Sequence, residues 1–275
     1  MLLTKRIILI KAIQTWKEYF DDETDYVCDY FDVFNAEKNL CYINIDETPI
    51  SMLMACEYDW RYGNKTFPFV YFSGVCTQKD YRNQGYSSRL IKDTLLKSYN
   101  EGKILCGLIV ANEGLKDFYQ KFGFAACCSK GKDFNFLEER CSPSRIQEMF
   151  SSGVFNKLDN TVVHSKESLS LYPQYYESVD CSDNADKQML RIINAEEALK
   201  LYAEKFPEKE LVFELKDQVF EKNNQVFTIQ KSRVFSQKPQ LKSPISQNKN
   251  IPQISIEELT TMIFKDAYMF LMNER

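Results

Sequence analysis

Apolar and polar positions in the first half of the chain follow two periods, one helical and one strand-like. Apolar residues recur every three or four positions in some stretches and alternate with polar residues in others, while the continuous apolar run Ile104 to Val110 is typical of a buried central strand. The resulting order α, α, β, β, β, α, β, α, β predicts a mixed α/β sheet with helices on its faces. The predicted helices cover 4–20, about 21–35, 87–99 and 114–122, and the predicted strands cover 40–46, 50–58, 67–76 and 104–110, with a final strand after Gly123.

The second half of the chain has weaker periodicity and divides in two. Residues 130–185 are rich in serine and predict only two short helices, Arg145 to Phe150 and Lys166 to Glu177, so we interpret 131–187 as a connecting segment. After it, a helix capped by Asn194, two strands and a last helix opened by Ser255 predict a smaller α+β unit. Its strands cover Glu210 to Lys216 and Gln225 to Val234, and a polar loop covers 236–250. The predicted domains are 1–130, 131–187 and 188–275.

Composition narrows the class of partner. The net charge is −4 and no long basic run occurs, which argues against nucleic acid as the main partner and favours neutral or cationic substrates. The apolar run Ile7 to Ile10 is too short for a signal-peptide core or a membrane span, so we expect a cytoplasmic protein with no membrane partner. Nine cysteines without a CxxC spacing and a single histidine, His164, predict buried reduced thiols and no metal site.

A strand, a glycine-bearing turn and a helix follow one another between Phe69 and Tyr99. Backbone N–H groups at a helix start point outward and the helix dipole adds partial positive charge, so such a turn binds anions such as a pyrophosphate. In this turn Gly85 lets a phosphate approach the backbone and Arg82 adds charge. The alternative is an ordinary strand-to-helix turn. The candidate residues are Arg82, Asn83, Gln84, Gly85, Tyr86 and Ser87.

The second candidate stretch runs from Asn112 to Phe124, with the sequence NEGLKDFYQKFGF. Asn112 follows the buried strand, and Tyr119 comes about two helical turns later. A tyrosine hydroxyl beside a reacting thioester can protonate the departing thiolate, which requires Tyr119 to face the cofactor cleft. The alternative is a core tyrosine on an amphipathic helix.

Together these motifs resemble the GNAT superfamily of acetyl-CoA-dependent N-acyltransferases. The resemblance implies a GNAT-like sheet, acetyl-CoA as cosubstrate, a strand end whose backbone binds pantetheine and turn amides that bind the pyrophosphate. It also implies that Tyr119 is the general acid and that Asn112 orients the pantetheine or the start of the following helix. Two positions depart from the family pattern: Ser87 replaces Gly or Ala, and Leu115 replaces Ala, which narrows the space around the cofactor. The residues that carry the resemblance are Val75, Cys76, Thr77, Arg82 to Ser87, Asn112, Phe118, Tyr119, Gly123 and Phe124.

The layout of the second half resembles the enhanced-intracellular-survival type of acetyltransferase, which ends in a sterol-carrier-protein-like domain. The match rests on the run Arg191 to Asn194, the paired strands and the short final helix. It implies a sterol-carrier-like unit at 188–275 and an abbreviated middle region, since those proteins usually carry a second, degenerate GNAT domain there. In some relatives the carboxy-terminal carboxylate helps to deprotonate the amine, a role that falls on Arg275 here. A frayed chain end is the alternative.

The sequence leaves the general base open. An amine nucleophile must lose a proton to a base or a water chain, and Glu57, Asp59 and His164 are the side-chain candidates, with solvated rim carboxylates as the alternative. Cys76 is either an acyl-carrying nucleophile or a packed strand residue. We expect strand-end N–H groups to hold the oxyanion. The aromatic residues of the two opening helices either line the acceptor pocket or belong to the core: Tyr19, Phe20, Tyr26, Tyr30, Phe31 and Phe34.

We therefore expect an acetyl-CoA-dependent N-acetyltransferase that moves the acetyl group to a primary amine, on a small molecule or a peptide, by direct transfer in a ternary complex. The alternatives are a non-catalytic acyl-CoA- or lipid-binding protein and a scaffold with a decayed site. The identity of the amine stays open, and so does the oligomeric state, a homo-oligomer included.

Overall fold

The computed structural model describes residues 2–129, 140–153, 158–175, 179–180, 185–239 and 251–269. None of the helices in these ranges combines the length and the apolar character needed to cross a membrane. The helices are α1 Leu2–Phe20, α2 Thr24–Val33, α3 Ala36–Asn39, α4 Tyr86–Asn100, α5 Lys116–Gln120, α6 Pro143–Ser151, α7 Lys166–Tyr175, α8 Ala195–Lys205 and α9 Ile256–Phe264. The strands are β1 Leu40–Ile45, β2 Thr48–Tyr62, β3 Lys65–Thr77, β4 Leu105–Ile109, β5 Arg140–Cys141, β6 Thr161–Val163, β7 Val179–Asp180, β8 Gln188–Ile192, β9 Leu211–Lys216, β10 Val226–Gln230, β11 Arg233–Gln237 and β12 Gln253–Ser255.

The first sheet has the strand order β1-β2-β3-β4-β8, and β6 pairs with the far end of β2. β3 and β4 run parallel, whereas β1, β2, β6 and β8 join their neighbours antiparallel. The two long central strands, β2 and β3, are buried over most of their length. Such continuous burial is expected where helices cover both faces of a sheet.

Two hydrophobic clusters lie on opposite faces of this sheet. α1 and α2 contribute Trp16 and Phe31 to the cluster that contains Phe69 of β3. α4 contributes Leu90 to the cluster that contains Val70, the next residue of the same strand. Successive side chains of a strand point to opposite faces. Consequently α1 and α2 cover one face, and α4 and α5 cover the other.

The second sheet has the order β11-β10-β9-β12, and α8 and α9 pack against its buried face. Both helix starts are capped as the sequence predicts: the side chain of Asn194 accepts a hydrogen bond from the Glu197 amide at 3.2 Å, and Ser255 forms a capping box with Glu258. β5 and β7 form a separate two-stranded pair.

The two sheets meet at β8, which pairs with β4 from Ile192 opposite Leu105 to Gln188 opposite Ile109. The strand that opens the predicted third domain therefore completes the first sheet. From the second sheet, Asp217 accepts a 2.8 Å hydrogen bond from Nη2 of Arg191, and both side chains are fully buried. The division of the chain into three domains stays a prediction.

The mixed α/β fold is confirmed, and three predicted elements differ in detail. The helix predicted at 114–122 is a 3-10 turn, Glu113–Leu115, followed by the short α5. The strand predicted after Gly123 is reduced to two isolated bridges, between Ala125 and Leu190 and between Cys128 and Ala267. The strand predicted at 225–234 is a hairpin of β10 and β11, because Lys231 and Ser232 both take positive φ at its turn. Neither residue is a usual turn signal at such positions, so the sequence pattern missed this turn.

Candidate active site

β3 and β4 pair along three residues only and then separate. The pairing runs from Phe69 opposite Leu105 to Tyr71 opposite Gly107. Beyond this point β3 continues to Thr77, paired on its other side with β2, and β4 continues to Ile109 beside β8. The separated strands therefore leave an opening in the middle of the sheet, with backbone groups of both strands along its sides.

A β-bulge at Gly74 lies in the separated part of β3. The register with β2 shifts between Met52 and Met54, and Gly74 takes φ +59°. A Cβ atom at this position would lie 2.0 Å from the Trp16 ring of α1, so only glycine fits both the conformation and the space. The Trp16 ring is held by a 2.8 Å hydrogen bond from Nε1 to Asp22. The bulge redirects Val75, Cys76 and Thr77 at the strand end, and sequence reasoning missed its dependence on Trp16.

The loop that follows β3 is fixed by its own side chains. Nε of Arg82 donates to the carbonyl of Thr77 at 3.1 Å, and Nε2 of Gln84 donates to the carbonyl of Asp80 at 2.8 Å. The hydroxyl of Tyr19 accepts a 3.0 Å bond from the Lys79 amide, and the Arg82 guanidinium lies 5.3 Å from the centre of the Tyr19 ring. Tyr19 therefore holds the loop against α1.

The start of α4 has open hydrogen-bond donors. Gly85 caps the helix with φ +85° and without a side-chain hydrogen bond, and the first turn holds no acidic residue. Within the ranges that the structure describes, the backbone amides from Asn83 to Ser88 donate no hydrogen bond. A Cβ at Gly85 would meet nothing within 4 Å, so the approach to these amides is clear. Unpaired N–H groups and the positive end of the helix dipole make this helix start a site for an anion, and Asn83, Gln84, Tyr86 and Ser87 lie in it.

Tyr119 lies on α5 with 7% of its surface exposed. Its ring contacts those of Phe118 and Phe124 at centroid distances of 5.1 and 5.9 Å, and it belongs to the same buried cluster as Leu90 of α4. Burial raises the pKa of its phenol, so the hydroxyl keeps its proton at neutral pH. The structure gives this hydroxyl no partner among the residues it describes.

Asn112 lies directly after β4, at the entrance to the turn that leads to α5. Its side chain is exposed and makes no capping bond, while its carbonyl accepts a 3.1 Å hydrogen bond from the Leu115 amide. Leu115 is half-buried and packs against the same cluster as Tyr119.

The proposed side-chain bases do not line the separated part of β3. Glu57 and Asp59 pair with Val70 and Pro68, on the closed side of the opening. Burial raises the pKa of Glu57, but ion pairs with Lys103 at 2.5 Å and Lys38 at 2.7 Å outweigh it and lower the pKa to about 2. A carboxylate held in this way is a poor proton acceptor.

His164 and Cys76 also have other roles in the fold. The His164 ring lies 5.4 Å from that of Tyr58, and its Nδ1 is 3.5 Å from the Ser168 hydroxyl. Burial raises the pKa of the Cys76 thiol to about 12, so this residue is a packed thiol and not a nucleophilic thiolate at neutral pH.

Most aromatic residues of α1 and α2 belong to the core. Tyr26, Tyr30, Phe31 and Phe34 are buried; the rings of Tyr30 and Phe31 contact Trp16, and those of Tyr26 and Phe34 contact Tyr30. Tyr19 is the member of this group that contacts the loop before α4. Arg275, the proposed source of a catalytic carboxylate, lies outside the described residues.

Comparison with known families agrees with this geometry. Residues 9–127 match the model of a family described as an acetyltransferase (GNAT) domain, which is less than half of the chain. These residues are similar to GNAT acetyltransferase domains. The matched range includes the separated strands, the open start of α4 and Tyr119. GNAT acetyltransferases use acetyl-CoA.

Solved structures share the fold of residues 9–127 and of the chain beyond them. A GCN5-related N-acetyltransferase from Anabaena variabilis is 14% identical, with 91% of this chain and 86% of that chain covered and a TM-score of 0.60. A probable N-acyltransferase from Enterococcus faecalis is 13% identical over 92% and 86% of the two chains, with a TM-score of 0.66. Eis1 from Mycobacterium abscessus is 11% identical over 88% and 87%, with a TM-score of 0.53. A search of curated protein sequences finds no significant match.

Proposed function

We propose that this protein is an acetyl-CoA-dependent N-acetyltransferase. The observation that carries the proposal is the row of unpaired amides from Asn83 to Ser88, beside the opening between β3 and β4. These amides bind the pyrophosphate of coenzyme A, and Arg82 adds positive charge nearby. The pantetheine arm lies between the separated strands and bonds to the backbone of Val75, Cys76 and Thr77. Asn112 orients the arm at the end of β4.

The reaction is a direct transfer within a ternary complex. The neutral amine nitrogen attacks the thioester carbonyl carbon, and backbone N–H groups at the end of β3 stabilise the oxyanion. The carbon–sulfur bond then breaks, and the thiolate takes the proton of the Tyr119 hydroxyl, which burial keeps protonated. The amine proton leaves to a base or a water chain. Glu57 is held in two ion pairs and is a poor candidate for this base. The carboxylate that the family resemblance implies at Arg275 is the candidate that we propose for this step.

The acceptor is a primary amine on a small molecule or a peptide. The unit from 188 to 275 is proposed to be sterol-carrier-like and to shape the acceptor side of the site. The end-to-end likeness to the Enterococcus faecalis and Eis1 structures supports such a two-part architecture at the level of fold. No described helix spans a membrane, and the acidic balance of the chain favours a cationic or neutral acceptor over a nucleic acid.

Two measurements on one variant test this proposal. Acetyl-CoA at 100 times its dissociation constant should stabilise the wild type by about 2.7 kcal/mol in thermal unfolding. Tyr119→Phe should keep that shift, because the hydroxyl has no partner among the described residues, and should lose about 10²-fold in turnover with an amine panel. Tyr99→Phe is the control and should keep full turnover. Tyr99 packs in the same hydrophobic cluster as Tyr119, but at the carboxy-terminal end of α4, away from the opening.

Each result separates the proposal from its alternatives. Absence of a thermal shift would reject acetyl-CoA as a ligand. A shift without turnover on any amine would favour the non-catalytic acyl-CoA-binding protein. Unchanged turnover in Tyr119→Phe would remove this residue from the mechanism.

A further inference from the structure

The segment that follows α9 leaves the second sheet and packs against the first. We call Lys265–Met269 the tail segment. Its backbone is held by buried polar groups of β6 and the residue before it: Nδ2 of Asn160 donates to the carbonyl of Lys265 at 3.0 Å, and Oγ1 of Thr161 donates to the carbonyl of Tyr268 at 2.7 Å. The Tyr268 amide donates to the carbonyl of Asn160 at 3.1 Å. An irregular segment with this many buried bonds has a fixed position.

Gln188 of β8 holds the last residue of the tail segment with both ends of its side-chain amide. Nε2 donates to the carbonyl of Met269 at 2.9 Å, and Oε1 accepts from the Met269 amide at 2.8 Å. Gln188 is 2% exposed and Met269 is fully buried. The pair satisfies both backbone groups of Met269 where water does not reach, so loss of the amide would leave them unpaired at a high cost.

Met269 lies at the point where β3 and β4 separate. Gly107 is opposite Tyr71, the last pair before the opening. A Cβ at Gly107 would lie 2.4 Å from Sδ of Met269 and 2.7 Å from the Phe69 ring. The Met269 side chain therefore occupies the space that a side chain at position 107 would need. Only glycine at 107 allows this contact.

We propose that Gln188 is a positioning residue for the acetyl-transfer site. By holding Met269 against Gly107, it fixes the place and width of the opening between β3 and β4, so that the carboxy-terminal unit controls where the thioester lies. This inference rests on the proposed function. The pyrophosphate site follows the carboxyl end of β3, at the start of α4, and no hydrogen bond between described residues joins it to the tail segment. Gln188 therefore affects the chemical step more than cofactor affinity.

The test compares three variants of the full chain. Gln188→Met keeps the side-chain length and removes both hydrogen bonds. Met269→Ala keeps the backbone bonds and removes the contact with Gly107. Ile229→Val in β10, buried in the second sheet, is the control for a modest loss of stability in the same unit. The readouts are the dissociation constant for acetyl-CoA, kcat and KM for the amine, and hydrogen exchange of the tail segment and of residues 105–109.

We expect Gln188→Met to lower kcat by about tenfold or more, because small misplacements of reacting groups have large effects on rate, while the acetyl-CoA dissociation constant changes less than about threefold. Exchange should rise in both the tail segment and β4. Met269→Ala should lower kcat and raise exchange in β4 while the backbone amides of the tail segment stay protected. Ile229→Val should change none of these.

Two outcomes would overturn the inference. One is faster exchange of the tail segment in Gln188→Met with β4 and kcat unchanged, since the segment would then have no effect on the opening. The other is a fall in acetyl-CoA affinity as large as the fall in kcat, which would indicate a general loss of structure. If the wild type neither binds acetyl-CoA nor turns over, the proposed function fails, and the exchange of β4 in Gln188→Met still decides whether Gln188 supports the opening.

Discussion

The start of α4 and the contact between Arg191 of β8 and Asp217, which we call the junction, differ in how their polar groups are bonded. From Asn83 to Ser88 the residues are exposed or half-buried, and their backbone amides donate no hydrogen bond within the described structure. At the junction Asp217 is fully buried and accepts hydrogen bonds from Arg191, from Asn223 and from the Val219 and Phe220 amides. Each region concentrates polar groups, yet only the junction pairs them within the protein.

The difference separates a binding function from an assembly function. Water can satisfy exposed amides at little cost, so a helix start that stays open is free to exchange that water for a ligand. Water cannot reach a buried charge, so the protein itself must supply a partner for that charge when it folds. The open region is therefore where we expect a ligand to change stability, and the closed region is where we expect mutation to do so.

The largest expected effect is at the junction. Asp217→Ala leaves the Arg191 charge buried without its partner and should cost about 3–5 kcal/mol of unfolding free energy, which lowers the melting temperature by on the order of 10 °C. Differential scanning calorimetry measures it. Lys200→Ala removes two half-exposed ion pairs, with Glu196 and Glu197, and should cost less than about 1 kcal/mol. Equal losses in the two variants would contradict the distinction between a buried and a half-exposed charge pair.

Alanine substitutions at Gly74 and Gly85 compare a packed position with an open one, and we expect losses of unfolding free energy of intermediate size. Gly74→Ala forces a methyl group into the Trp16 ring at a positive φ, and should cost about 2–4 kcal/mol in urea unfolding. Gly85→Ala also places a side chain at positive φ, but the added methyl group meets no neighbouring atom, so the loss of unfolding free energy should be about 1 kcal/mol. For ligand binding we expect the opposite order. Gly85→Ala should reduce the thermal shift caused by acetyl-CoA more than Gly74→Ala does, because the methyl group at position 85 lies where a phosphate approaches the amides.

The smallest expected change in unfolding free energy is at Glu57, whose side chain is more exposed than that of Asp217 but is still held in ion pairs. Its pKa is lower in the folded state, about 2, than in the unfolded chain, so its ion pairs stabilise the protein above about pH 4.5 and this contribution is lost as the pH falls towards 2. Since the side chain is more than one-third exposed, Glu57→Gln should cost less than about 1 kcal/mol at pH 7. The difference from wild type should shrink by pH 3 in urea titrations. Amine turnover should persist, and its loss would restore Glu57 as the base.

The part of the site that could be predicted from sequence is the part made by neighbours in the chain. The loop before α4 contains its own signals, Gly85 at the cap and no acidic residue in the first turn, so the helix start was predictable to within one residue. The β-bulge was not, because it depends on the ring of Trp16, 58 positions earlier in the chain, which fills the space beside Gly74.

Several of the features that the pattern missed or shortened depend on distant partners. The strand expected after Gly123 becomes two isolated bridges, at Ala125 and Cys128, because β8, from much later in the chain, takes the place beside β4. Gly107 gives no turn signal, and its need for glycine arises from the Met269 side chain and the Phe69 ring, both distant in sequence. Periodicity reports which face of an element is buried, but it does not name what buries it.

The position of β8 has a consequence for synthesis. Cys106 of β4 pairs with Arg191 of β8, which the ribosome adds some 85 residues later. At ordinary elongation rates this delay is on the order of ten seconds. During that interval the nascent chain presents a β4 edge without its neighbour, and an unpaired strand edge invites association with other chains. Expression temperature and chaperone supply should therefore influence the yield of this protein strongly, and truncated versions that stop before β8 should aggregate.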